Sequence, residues 1–300
     1  MNPSLSYLFN MLFYATPAVI VLALIEAVVL AFVKRRPYSW RASFASLLDA
    51  VGREYVVYQF LPVGIAFPVV AWAFNHRLAT LQLDATLAFV LLLVGVEFSY
   101  YWFHRASHRV RWFWASHAVH HSSNELNLSA AYRFGWTGRL SGTSIFFAPL
   151  IWLGYPPAAV FGVLGLNLLY QFWLHADWMP KLGWLEYVFN TPSHHRVHHA
   201  ANPAYLDANY GGILIVWDRL FGTFIEERAD LPCRYGLVKP LLSNNPLVIN
   251  FHEWLALARD LRQARSWGER WQYLFGPPGW RPDGQGWSTE DIRRVAAAAE

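Results

Sequence analysis

Long apolar runs alternate with short polar ones along this chain, and their lengths predict its elements. Residues 6–33 are apolar apart from Asn10 and Glu26, about 28 positions in all. That exceeds the ~20 residues a helix needs to cross a hydrocarbon core, so a spanning helix is predicted. Residues 34–54 carry Lys34, Arg35, Arg36, Arg41 and Arg53 and read as a basic connection. A second span is expected over residues 55–74, kinked by Pro62 and Pro68, and a third over residues 81–101. The third closes on Tyr100-Tyr101-Trp102-Phe103, an aromatic belt of the kind that marks a water interface. Residues 140–174 form a further apolar block, broken at Gly154-Tyr155-Pro156-Pro157 into halves short of a full span. A helical hairpin that spans obliquely or re-enters is expected there. Beyond Trp178 the chain is mixed in character, and residues 231–300 read as peripheral helix and turn.

Charge sets the orientation. The basic residues follow the first span instead of preceding it, unlike a cleavable signal peptide, so the chain is predicted to run from outside to cytosol. Counting out, in, out, in delivers His104 to the cytosolic face, where Arg105, Arg109 and Arg111 agree. The expected fold is an all-α integral membrane protein, an apolar helical bundle with a cytoplasmic, histidine-rich di-metal cap. Residues 1–84 would hold the first spans and basic loop, 85–230 the catalytic region and 231–300 a cytoplasmic extension. Glu26 within the first span is read as an interhelical hydrogen-bonding partner or a helix-end group, not a catalytic carboxylate. With 55% hydrophobic and 15% charged residues and a net charge of +4, the composition suits a membrane surface, and there is no nucleic-acid motif. The single cysteine, Cys233, excludes an internal disulfide and a thiolate-rich metal site.

The chemistry lies in the histidines. Ten of the twelve fall between His104 and His199, in the spacings His104-x-x-x-His108, His117-x-x-His120-His121 and His195-x-x-His198-His199. Helical spacings of three and four bring side chains to one face, so each cluster can aim imidazoles at a point. Neutral imidazole binds zinc, copper, nickel and iron, and eight clustered rings exceed one tetrahedral ion, so two metals are expected. His175, at the end of an apolar helix, joins the ligands; His76 and His252 do not. Asp177, Asp207 and Asp218 are candidates to receive the second ring N–H of a ligand. The glycines of Asn209-Tyr210-Gly211-Gly212 would let backbone approach closely. The repeated His-x-Val-His-His has unlike flanks and reflects shared ligand geometry, not duplication. Two other classes compete: a membrane zinc hydrolase, against which stands the absence of His-Glu-x-x-His, and a metal-binding or transport protein, whose ligands would lie nearer mid-span.

In the order and spacing of these motifs after apolar runs, the sequence resembles the fatty acid hydroxylase and sterol desaturase superfamily over residues 85–230. The segments Tyr170-Gln171-Phe172-Trp173-Leu174-His175, residues 190–199 and Trp217-Asp218-Arg219-Leu220-Phe221-Gly222-Thr223-Phe224 look most like its alkylglycerol-monooxygenase-like bacterial branch. The resemblance implies two irons held by His104, His108, His117, His120, His121, His175, His195, His198 and His199. Gln171 occupies a position that some branches fill with a further histidine, and Gln171 and His194 join the candidates for a supporting role. It also implies oxidation of a C–H bond in a lipid of fatty acyl, sterol or alkylglycerol type by dioxygen, giving a hydroxyl or a double bond. With no Gly-x-Gly-x-x-Gly fingerprint, electrons must come from a separate donor, such as a b-type cytochrome, a ferredoxin or a pterin. The expected location is the bacterial inner membrane, or the endoplasmic reticulum of a eukaryote, with the catalytic face cytoplasmic.

Overall fold

A computed structural model describes residues 3–60, 66–81 and 86–298. The described residues are helical, joined by turns and two isolated β-bridges. Helix α1 (Pro3–Val28) runs on as one π-helical stretch, Val29–Val33, before the basic residues. Helix α2 (Trp40–Phe60) occupies most of the segment expected to be a connection. The basic residues hide an inward face there: Ala45, Ser46 and Asp49 are buried four or fewer positions apart, while Val51 and Phe44 face outward. Helix α3 (Phe67–Asn75) starts the next apolar run. Pro68 lies in its first turn, where a missing N–H costs nothing, so it begins a helix instead of kinking one. Pro62, with residues 61–65, lies outside the described residues, as do 82–85.

Helix α4 (Thr86–Arg109) continues well past the aromatic run into the first histidine pair. That run is no simple belt: Tyr100 and Tyr101 are buried, and only Trp102 is exposed. Helix α5 (Arg111–His121) follows a single extended residue, Val110. The short α6 (Gly138–Ser141) and α7 (Ala148–Leu153) lead to α8 (Pro157–Phe172), forming the expected hairpin. Its bend needs glycine: Gly154 has φ +126°, and a Cβ there would meet Ala79 O at 2.5 Å. Leu92, Val96, Phe147, Ile151, Val160 and Val163 pack together where α4, the α7 region and α8 meet.

Helices α4 and α8 are long and apolar enough to cross a membrane, and only 33% of the apolar stretch of α4 is buried. Leu87, Val90, Leu91 and Val94 on α4, and Val21, Leu24, Ile25 and Val28 on α1, point outward. Glu26 is buried and joins elements as expected, accepting from Leu128 N (2.7 Å) and Trp178 Nε1 (2.8 Å).

The remaining helices are α9 (Pro192–His198), α10 (Val216–Phe221), α11 (Pro246–Gln263), α12 (Trp267–Phe275) and α13 (Thr289–Ala297). Of the last three, α11 and α12 are not peripheral, whereas α13 buries no residue and stays at the surface as expected. Helix α11 packs on α5 and α2, a buried Arg111–Asp260 ion pair of 2.5 Å ties it to α5, and Leu257 and Tyr273 pack with Trp112. The inward apolar positions of α11 and α12, spaced for one helix face each, pack against the histidine-bearing α5.

Candidate metal centre

Four elements carry the clustered histidines inward. His104 and His108 stand one turn apart at the end of α4, and Val110 (φ −117°, ψ 116°) reverses the chain so that α5 brings His117, His120 and His121 back beside them. His175 closes a 3-10 turn, Trp173–His175, at the end of α8. Helix α9, begun by Pro192, carries His195 and His198, with His199 as its C-cap. Except for His117, which is half-buried, all nine side chains are buried.

The nine form two groups, in each of which the candidate ligand nitrogens lie within 4.8 Å of one another: His104, His108, His117, His121 and His198, and His120, His175, His195 and His199. The sequence spacing suggested that each cluster aims at one point, and here the structure differs. Successive residues are ~100° apart around a helix, so the i and i+4 members of His-x-x-His-His share a face while the i+3 member looks to one side. Helix α5 therefore gives His117 and His121 to the first group and His120 to the second. Helix α9 does the reverse, giving His195 and His199 to the second and His198 to the first. The His104/His108 pair completes the first group. Its counterpart in the second is His175 alone, and Gln171 stands one turn before it on α8.

Backbone carbonyls fix the rings. Nδ1–H is donated by His104 to Tyr210 O (2.8 Å), His120 to Arg133 O (3.1 Å), His175 to Gln171 O (3.0 Å) and His198 to Ala208 O (2.9 Å). Each bond leaves Nε2 bearing a lone pair. His120 and His175 then face each other Nε2 to Nε2 at 3.4 Å, lone pair against lone pair. Further Nε2 pairs stand at 3.2 Å (His175–His195), 3.0 Å (His195–His199) and 3.1 Å (His104–His117), while Nε2 of His108 and His198 are buried without a partner. Converging lone pairs are unfavourable alone and suit a cation, and an all-imidazole donor set fits iron. Burial, followed by the neighbouring rings, pushes His117, His121, His195 and His199 well below the ordinary 6.5, which keeps them neutral.

The supporting candidates behave differently from one another. Asp207 Oδ1 lies 3.5 Å from His108 Nδ1, and its Oδ2 accepts from Arg109 Nη1 (2.7 Å). Burial alone would raise its carboxyl, but the hydrogen bond from His108 and the Arg109 guanidinium hold it at about 2. Asp207 and Asn209 both take left-handed backbone (φ 54° and 56°), which acidic and amide side chains tolerate, and this presents Ala208 O to His198. Asp218 touches no ligand; it accepts from Tyr210 N, Gly211 N and Thr223 Oγ1, each at 2.7 Å, and so aims Tyr210 O at His104. Burial raises its carboxyl to about 6. Asp177 acts through its backbone, accepting from Arg196 (3.1 Å). His194 turns away, with its ring against Phe224 and Nε2 3.9 Å from Glu186. Gln171 supplies its carbonyl to His175, while its side chain accepts from Tyr100 and donates to Asn167. His76 and His252 belong to neither group.

Several site residues went unnoticed in the sequence. Glu97 on α4 accepts from Ile213 N (2.8 Å), Leu214 N (3.0 Å) and Asn167, so it ties α8 to the loop that orients His104. An acid inside an apolar run is the signal that could have found it. A Cβ on Gly212 would strike Asn167 Nδ2 at 2.1 Å, so the glycine's close approach is real. Phe134 stacks on His120 (5.2 Å, 4°), a contact with no sequence signature.

Cavities open onto the centre from more than one side. One, of about 310 Å³, is lined by His117, His120 and His175 and by apolar residues of α1 and α8 including Val19, Ile20, Leu169 and Phe172. Another, of about 230 Å³, lies between His108, His121, His198 and the C-terminal residues Lys239 and Trp287.

Two histidine groups on these elements accord with the match found for the segment that carries them: residues 89–223 fit the fatty acid hydroxylase family model. They are a fatty acid hydroxylase domain. Around this domain the chain is 37% identical over 269 residues to human alkylglycerol monooxygenase, covering 89% of this chain and 59% of the human protein. The chain thus spans about three fifths of that relative's length. The zebrafish alkylglycerol monooxygenase (Danio rerio) is 41% identical over 69% of this chain and 46% of its own. An ornithine lipid hydroxylase of Rhizobium tropici is 27% identical over 72% of this chain and 66% of its own. No solved structure matches the chain.

Proposed function

We propose that the fatty acid hydroxylase domain is the catalytic part of a membrane-bound di-iron oxygenase that hydroxylates or desaturates a lipid with dioxygen and electrons from a separate donor. The observation that carries the reading is the 310 Å³ cavity, apolar along α1 and α8 and closed at its end by imidazoles of both groups. A lipid chain entering from between those helices would bring its C–H bonds to His117, His120 and His175. Two irons, held by the nine histidines, would supply the oxidising chemistry. The chain's own residues bind and orient: carbonyls of Tyr210, Arg133, Gln171 and Ala208 fix the rings, Phe134 packs on His120, and the apolar walls exclude water.

The outward apolar faces of α1 and α4 support residence in a bilayer. The basic residues after α1 support a cytosolic catalytic face. A zinc hydrolase fits less well, because neither histidine group includes a carboxylate to act as base.

The test is isotope transfer. Iron-loaded protein in lipid vesicles, given a reductant and ¹⁸O-labelled dioxygen, is expected to yield labelled hydroxylated lipid or the dehydrogenated chain, and His120→Ala to yield neither. Lipid cleavage without consumption of dioxygen would overturn the reading.

A further inference from the structure

Helix α12 has two apolar faces and buries only one. Tyr273 packs inward with Leu257 of α11 and Trp112 of α5. On the opposite side Trp267, Trp271 and Phe275 recur every fourth residue and are 82%, 63% and 43% exposed, with the last two rings 4.4 Å apart. Leu255 on α11 is also 64% exposed. Three large aromatic side chains along one short helix face form a patch, and a patch of this kind marks a contact surface.

Charge and position say what it contacts. Arg259 and Arg262 share the helix face of Leu255, Arg265 lies in the link to α12, and Arg270 stands over Trp267, 4.8 Å from its ring centroid. None of the four forms an ion pair among the described residues. The acids beside them are engaged: Asp260 pairs with Arg111, Glu269 accepts from Arg265 N (2.6 Å), and Glu253 lines the cavity at His252. The helix is also held level with the ends of the apolar spans. Arg111 N, just past the end of α4, donates to Gly276 O (3.0 Å), and Trp112 Nε1 donates to Ser141 O (3.0 Å), just ahead of the apolar hairpin. An aromatic ridge at that level, bordered by unpaired arginines, has the chemistry of a helix lying in the head-group boundary of a bilayer. A second copy docking by two-fold symmetry would instead set the same arginines against each other.

We propose that α12 is an in-plane anchor: Trp267, Trp271 and Phe275 enter the cytosolic head-group boundary of the bilayer that α4 crosses, and Arg259, Arg262, Arg265 and Arg270 meet the phosphates of anionic lipids. It rests on the membrane residence proposed above and adds a lipid contact made by a helix too short to span. Because Pro277 and Pro278 follow α12 and line the cavity at His108 and His121, the anchored helix also holds one wall of that cavity.

The test is the depth of a fluorescent label on the iron-loaded full chain, on a Cys233→Ser background, in nanodiscs holding one chain each. One label is attached through Trp271→Cys and another through Leu91→Cys, on the outward face of α4. With phosphatidylglycerol present, the label at position 271 is expected to be quenched by a nitroxide carried on lipid near the head group and protected from aqueous iodide. The label at position 91 is expected to be quenched by a nitroxide near the end of the lipid chain. Exchanging phosphatidylglycerol for phosphatidylcholine, or combining Arg262→Gln with Arg265→Gln, is expected to remove about half or more of the lipid quenching at 271 and none at 91. Quenching at 271 by iodide alone, lipid quenching there that ignores lipid charge, or protection that arises only when two chains share a nanodisc would each overturn the anchor; the last would assign the ridge to a second copy. Those results leave membrane residence standing as long as lipid quenches the label at 91; if it does not, both fall.

Discussion

The Tyr100 hydroxyl donates to Gln171 Oε1 across 3.0 Å, beside the imidazoles of the second group. The bond begins a buried chain: Gln171 Nε2 donates to Asn167 Oδ1 (2.6 Å), Asn167 donates to Glu97, and Glu97 holds the N–H groups of Ile213 and Leu214. It runs from the carbonyl that orients His175 to the loop that orients His104, so the two halves of the centre share one scaffold.

Gln171 stands one turn before His175, as His104 stands one turn before His108. Gln171→His is therefore expected to retain or increase bound iron and to slow turnover, by filling a position that a weaker amide leaves open. Gln171→Leu breaks the chain instead, stranding Tyr100 and Asn167 at about 1–3 kcal/mol each, seen as a lower thermal midpoint. Unchanged iron and unchanged turnover in Gln171→His would show that the residue has no part in the centre.

Asp218 acts at one remove, through the backbone of Tyr210 and Gly211. In Asp218→Asn an amide N–H₂ replaces one acceptor, and the Tyr210 carbonyl loses its aim at His104. Metal affinity of the first group is expected to fall about 10–100-fold with the second group little affected, a split that chelator competition would resolve into two phases. A uniform loss from both groups would contradict the division.

Acid should destabilise the metal-free protein. Burial and neighbouring rings hold His117, His120, His121, His195, His198 and His199 well below 6.5. Above that value both folded and unfolded rings are neutral and no penalty arises. Below it the unfolded chain takes up protons that the folded one refuses, so stability falls as pH falls, and metal binding weakens in the same window. The thermal midpoint is expected to drop between about pH 7.5 and about pH 5.5 and to be steeper in pH than in His120→Ala, which has one such ring fewer. A midpoint that is flat or rises on acidification would contradict neutral, buried imidazoles.

Much of the centre was legible because helical spacing and metal geometry constrain each other: His104 and His108 one turn apart can only face one way. What spacing could not give was partition. That His120 and His198 each cross to the other group depends on how α5 and α9 face each other, which is tertiary. The apolar runs located α1, α4 and the α7–α8 hairpin, since length and hydropathy decide those. Helix α2 was missed because Arg41, Asp49 and Arg53 read as a charged connection, although Asp49 points inward and accepts from Phe134 N (3.1 Å) and Asn250 (2.5 Å). Helices α11 and α12 were misplaced for a related reason: short amphipathic segments carry no mark of what they cover.

The central claim is that the two histidine groups are two iron sites. Metal analysis of protein purified after expression with iron and zinc both present tests it most directly, with His121→Ala and His195→Ala as single-group variants. Two irons per chain in the parent and about one in each variant is the predicted result; zinc alone, or a single metal per chain in the parent, would contradict the account.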